Sequence, residues 1–208
     1  ILLTEIHNRH YRKITQSIMF LPYFISWVVY GGIVLAFLSS DGGFINNILL
    51  QLGLIDNSIT FMSNPDYFYA IVIVSSAIKG TGWGSVIYVA AITGVDPQIY
   101  EAARIDGANR LQMARSVTLP SIASTITVLL LLAISGLLNS GFDRIYMLQN
   151  PLNLSRSEVL DTYIYKIGIS QRRFSFTTAV GVFKSIVAVV LLTGGHLISK
   201  KCTGRGLF

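Results

Sequence analysis

Few residues in this sequence are of a type and spacing that could do chemistry. Glu101 and Arg104 stand three apart in DPQIYEAARIDGANRLQMARSVTLP, a polar stretch (residues 96–120) between two strongly apolar segments; Lys79 and Lys184 stand inside apolar runs. Neither set is the grammar of an enzyme. The sequence holds no G-x-S-x-G, no H-E-x-x-H, no phosphate loop and, with Cys202 alone, no disulfide. We therefore expect no catalytic and no metal-binding residues; His7 and His10 read as part of a solvated interfacial turn, and Cys202 as a spectator thiol rather than a lipidation site. What Glu101 can do is dock. A carboxylate on an exposed helix makes charge-assisted hydrogen bonds to a basic partner, worth about 1.5–3 kcal/mol each.

The elements that must position Glu101 are legible in the same stretch. Asp96 is a good N-cap and Pro97 suits the first helical position, so a short helix carries Gln98 to Ile105. Asp106-Gly107 ends it, because the left-handed residue after a helix is one that glycine adopts cheaply. Asn109 with Gln112 three residues on forms a capping-box pattern, which predicts a second helix to about Val117 before Leu119-Pro120. Two caps and a glycine turn are more than a mere linker needs and suggest a docking surface, with an ordinary connecting loop as the alternative. The product is a helix-turn-helix elbow with Ile99, Ala102, Ala103 and Ile105 beside Glu101 and Arg104.

Composition places the elbow beside a membrane. Of 208 residues 52% are hydrophobic and 12% charged, with a mean hydropathy of +0.59, where a soluble domain has about 25% charged residues. The net charge of +6 then reflects the basic bias of cytoplasmic loops, and nucleic-acid binding is not expected.

Taken in order, Ile1 is not an initiator methionine, and ILLTEI reads as the last turns of an apolar helix already under way. Residues 14–38 form a first crossing, long enough for a hydrocarbon core of about 30 Å, which about 20 helical residues span; Pro22 is expected to kink it. Residues 39–66 contain Asp41, Asp56 and Asp66 and no lysine or arginine, the mark of an outer loop, and within it 44–54 has the spacing of a short interfacial helix. The second crossing is 67–92, where Gly80 and Gly84 form a small-xxx-small pair for close packing. The elbow follows, inside by its Arg104, Arg110 and Arg115. Residues 121–138 are the third crossing, 139–176 a second outer loop with a short amphipathic helix at 161–169, and 177–198 the fourth crossing, followed by a basic tail. The outer loop 139–176 carries five basic residues, against the positive-inside rule, which longer translocated loops obey less strictly.

Glu101-Ala102-Ala103, Gly107 four residues later and then Leu119-Pro120 resemble the EAA loop of ABC importer permeases. Beyond it, FLPYFISWVV, GGFINNILLQLGL, KGTGWGSVIYVAAITGVDPQIYEAARIDGA, GFDRIYMLQNP, LDTYIYKIGI and FSFTTAVGVFKSIV are similar to the oligosaccharide and polysaccharide branch of the carbohydrate-uptake permeases, so the likeness covers nearly the whole chain. It implies an all-α integral membrane protein, a bundle of transmembrane helices with the methionine-importer-like permease fold, forming a single domain over 1–208 in a bacterial cytoplasmic (inner or plasma) membrane, with one or two crossings before Ile1. It implies a partner permease, two cytoplasmic ATPase subunits that bind ATP and Mg, an extracellular solute-binding protein and an oligosaccharide as cargo; this chain itself would hold no cofactor. In that family the loop fits an ATPase cleft with the glutamate at its centre, which assigns coupling to Glu101, Ala102, Ala103, Arg104, Gly107, Leu119 and Pro120.

The substrate path is expected at Lys79, Trp83, Tyr88 and Lys184. An ionised lysine within a crossing costs about 2.5–3.5 kcal/mol on insertion scales, so it faces a wet cavity, meets an acid or snorkels. No acid lies within the four crossings. A wet cavity is the reading that gives Lys79 a role, and with it a preference for acidic sugars. The competing class is a secondary transporter or channel not driven by ATP; its crossings would look much alike, and ATP-dependent uptake by a purified complex separates the two.

Overall fold

The computed structural model describes residues 6, 8–139 and 141–203, with the side chains of Ile198, Cys202 and Thr203 not described. The readings of His7 and of the Cys202 thiol lie outside what is described. The chain is 76% helical, with no strand among the described residues. The helices are α1 (Arg9–Phe24), α2 (Trp27–Phe37), α3 (Phe44–Gln51), α4 (Phe68–Thr93), α5 (Pro97–Ile105), α6 (Arg110–Met113), α7 (Leu119–Ser121), α8 (Ala123–Ser135), α9 (Phe142–Leu148), α10 (Leu154–Ser157), α11 (Leu160–Tyr165) and α12 (Phe174–Thr203). Wide π turns, Ala114–Thr118 and Lys166–Ser170, follow α6 and α11.

Two helical stretches, Pro65–Thr93 and Phe174–Lys201, are long and apolar enough to cross a membrane. Two further candidates are broken. Arg9–Phe24 and Trp27–Phe37 meet at 102°, and Arg110–Ser121 and Ala123–Ser135 at 66°, so the stretch read as one crossing over 14–38 is two helices. Pro22 explains where the first ends: it cannot donate to the preceding turn, and α1 stops two residues later. Ser26 then N-caps α2, its hydroxyl accepting from Val29 N–H at 3.3 Å.

The chain folds as two compact units. The first draws on the segment up to Phe20, on Thr81–Leu137 and on the chain from Lys184 onward. Here Gly82 lets α4 meet the backbone of α1: a Cβ at 82 would collide with the carbonyl of Met19. Gly80 and Gly84, the pair expected to do this, face open space. Helical register explains the correction, since the buried side of α4 runs through Phe68, Val72, Ser75, Lys79 and Gly82 at alternating steps of four and three. Gly195 of α12 lies against Leu131 of α8, which is buried.

The second unit comprises Leu21–Gly80 and Leu138–Phe183. Its core is Phe68, Val72, Ile145 and Leu148, with Val34, Met62, Ile71 and Val159 packed around them. Helix α9, which sequence patterning did not mark, supplies half of that core; its Met147 abuts Gly31 of α2 so closely that a Cβ there would stand 2.9 Å from Met147 Cβ. Polar posts hold the loops. Asn46, 1% exposed, donates to the carbonyls of Ser39 (2.8 Å) and Ile59 (3.0 Å) and accepts from Ile59 N–H (2.8 Å), while Asn150 and Asn153 both donate to the carbonyl of Met62. The helix expected at 161–169 is α11 with its π turn.

Candidate functional site: the elbow and the buried lysine

The elbow is built as its residues dictate. Asp96 Oδ1 accepts from Gln98 N–H at 2.9 Å, and Pro97 opens α5. At the other end Gly107 has φ +80°, and Ala108 N–H reaches back to Ala103 O (2.9 Å) and Gly107 N–H to Arg104 O (3.0 Å). These are the paired bonds of a Schellman cap, which satisfy carbonyls a helix end otherwise leaves bare. The capping box at Asn109 is complete: Asn109 Oδ1 accepts from Gln112 N–H (2.9 Å), and Gln112 Oε1 from Asn109 N–H (2.7 Å). Beyond Met113 the expected helix widens into the π turn, and Leu119-Pro120 opens α7.

This framework holds an exposed surface. Glu101, Ala102 and Arg104 are exposed and Ala103 half-buried, with Ile99 beside them and Ile105 86% exposed. No side chain of α5 is buried. Beside it lies a recess of about 350 Å³, lined by Ile92, Thr93, Val95, Pro97, Tyr100, Glu101 and Arg104. An acid and a base thus stand on a rim of apolar groups. Among the described residues no group of three or more His, Cys, Asp or Glu side chains could hold a metal ion.

Lys79, expected on the substrate path, lies against the end of α1. It is 6% exposed, and its ammonium donates to the carbonyls of Pro22 (2.9 Å), Tyr23 (3.0 Å) and Ile25. Three N–H bonds thus meet three acceptors freed where α1 ends. The rings of Tyr23, Trp27 and Tyr30 lie 5.3–5.8 Å from Nζ, within cation–π range, and Tyr30 donates its hydroxyl to Ser75 O at 3.0 Å. The ammonium is therefore met by the carbonyls and rings of the broken span itself. Trp83 and Tyr88 are exposed on α4, and Lys184 is half-buried on α12. Arg144 of α9, absent from the sequence-based set, donates from Nη1 to Ser76 Oγ at 3.1 Å.

Elsewhere Phe142, Tyr146 and Tyr165 pack ring on ring at 4.9–5.2 Å. The hydrogen bond with Tyr146, then the charge interaction between the two phenols and a little burial, hold the Tyr165 pKa above the ordinary tyrosine value.

Residues 1–201 match the family described as binding-protein-dependent transport system inner membrane component. The chain belongs to that family. This inner membrane component is 40% identical to Protein LplB of Bacillus subtilis (strain 168), over all of this chain and 65% of the relative. It is 39% identical to the polygalacturonan/rhamnogalacturonan transport system permease protein YteP of the same organism, over all of this chain and 64% of that one. The chain thus spans just under two thirds of these relatives' length. Among solved structures, the chain superimposes with a TM-score of 0.94 on a chain of a bacterial alginate ABC transporter in complex with an alginate pentasaccharide-bound periplasmic protein, at 38% identity over 99% of this chain and 71% of that one. The expected family and all-α permease fold are thereby borne out.

Proposed function

We propose that the chain is the transmembrane subunit of an ATP-driven importer, taking an oligosaccharide from an extracellular solute-binding protein across a bacterial cytoplasmic membrane. The observation that carries this reading is the doubly capped elbow presenting Glu101-Ala102-Ala103 on an exposed helix. A surface that rigid and that exposed suits a cleft on an ATPase subunit, with Glu101 anchored on a basic residue there. Two ATPases, a second permease and the binding protein complete the assembly, and ATP with Mg resides on the ATPases. ATP closes their dimer, the elbows ride with it, and the path opens outward; hydrolysis reverses the cycle.

The cargo is a uronate-bearing oligosaccharide. The support for this is that one similar protein belongs to an importer of the acidic polysaccharide alginate and another to a polygalacturonan/rhamnogalacturonan transport system; Lys79 adds none, because its ammonium is occupied by main-chain carbonyls. The path itself stays assigned to Trp83, Tyr88 and Lys184.

The test is uptake by the purified assembly in proteoliposomes, with its binding protein outside and ATP within. Radiolabelled uronate oligosaccharides should accumulate only with ATP. Accumulation driven by an ion gradient without ATP would turn the reading into a secondary transporter.

A further inference from the structure

Helix α5 carries the docking face, yet no core holds it: none of its side chains is buried. It is tied to the rest of the elbow through the turn at Gly107 and, among the described residues, through a side-chain hydrogen bond. That bond joins the Tyr100 hydroxyl to Thr118 Oγ1 at 3.0 Å, eighteen residues away. Thr118 is 5% exposed and closes the π turn, and its hydroxyl donates onward to the carbonyl of Met113 at 3.4 Å. A threonine hydroxyl has one proton, so with that proton on Met113 O the Tyr100 O–H is the donor and Thr118 Oγ1 the acceptor. The relay runs from the residue preceding Glu101 to the residue preceding Leu119-Pro120, where the chain enters α7.

We propose that Tyr100 and Thr118 are positioning residues for coupling, the strut that makes α5 and the π turn leading into α7 move as one body. The inference rests on the importer reading above. Without the strut, a push on Glu101 is absorbed by rotation about Gly107, the left-handed residue of the turn (φ +80°). With it, the push reaches Thr118 directly. The π turn is what brings the hydroxyl into reach, since a turn with one extra residue rotates Thr118 relative to its place in a regular helix; such turns recur at functional sites.

The test compares Tyr100→Phe, which keeps the ring in its recess, with Thr118→Val, Thr118→Ser and the Tyr100→Phe/Thr118→Val pair, all in the full complex with ATPases and binding protein. Two quantities are measured: sugar transported per ATP hydrolysed, and amide hydrogen exchange across residues 97–105. Tyr100→Phe and Thr118→Val should each lower the sugar-to-ATP ratio by about two- to tenfold, the span that the net worth of one hydrogen bond allows. The pair should be no worse than either alone, and Thr118→Ser should match the parent. Exchange in 97–105 should quicken in the same variants and in no other. A merely structural role would lower yield and leave the ratio untouched, and that result overturns the proposal. So does a Tyr100→Phe complex with parental ratio and parental exchange. If the parent complex shows no ATP-driven uptake at all, the importer reading fails, and the exchange data alone still decide whether the strut exists.

Discussion

The ammonium of Lys79 lies 2.9 Å from the main-chain oxygen of Pro22, fifty-seven residues away, and closes the break that Pro22 helps to make. A helix ending inside an apolar environment leaves carbonyls without partners, and a lysine from the neighbouring helix supplies three donors at once.

Replacing Lys79 with methionine keeps the length and removes the donors. Each carbonyl left bare costs about 1–3 kcal/mol, so Lys79→Met should lower the melting temperature of the purified protein clearly, and Lys79→Arg should not restore it, because a planar guanidinium does not fit a seat built for a point charge. Parental melting of Lys79→Met with selectively lost uptake would return Lys79 to the substrate path.

Of Gly80, Gly82 and Gly84 on α4, only Gly82 meets a neighbouring backbone. Gly82→Leu should destabilise the protein by about 1–3 kcal/mol through overpacking against Met19, seen as a lower melting temperature and poorer recovery from detergent. Gly80→Ala, with open space around it, should melt at or slightly above the parental temperature, as a glycine in a helix interior costs about 0.5–1 kcal/mol relative to alanine.

Gly107→Val places a β-branched residue at φ +80°. The left-handed region costs such a residue about 1–2 kcal/mol, and the cost falls on the elbow, since nothing stands within 4 Å of the site for a side chain to strike. The protein should insert and assemble normally, with ATP hydrolysis that no longer responds to loaded binding protein.

Asn57 and Gln112 are both exposed, one in the acidic loop and one in the elbow. Single cysteines there, in a Cys202→Ser background, should react with an impermeant thiol reagent from opposite sides of the membrane. Labelling from one side only would overturn the assignment of 39–66 to the outside and 96–120 to the inside.

What was legible in the sequence divides along the range of the interactions involved. Asp96, Gly107, Asn109 and Gln112 act on backbone a few residues away, so the elbow and both its caps could be read directly. Lys79 could be singled out as an anomaly, yet its partners at 22, 23 and 25 lie on another helix and are backbone atoms, which no residue pattern advertises. Gly80 and Gly84 matched a motif, but the motif does not say which helix face turns inward; the stripe through Ser75 and Lys79 puts Gly82 there instead. Helix α9 escaped notice because its seven residues are too short to show a period, and the π turn because wide turns carry no sequence mark.

The most direct measurement for the central claim is the ATPase rate and sugar uptake of the reconstituted complex carrying Glu101→Lys. Charge reversal at the centre of an exposed docking helix leaves the bundle untouched and removes the anchor, so the account predicts an inserted, assembled permease whose ATP hydrolysis is unstimulated by loaded binding protein and whose uptake falls to background. Parental stimulation and parental uptake in that variant would contradict the assignment of coupling to the elbow.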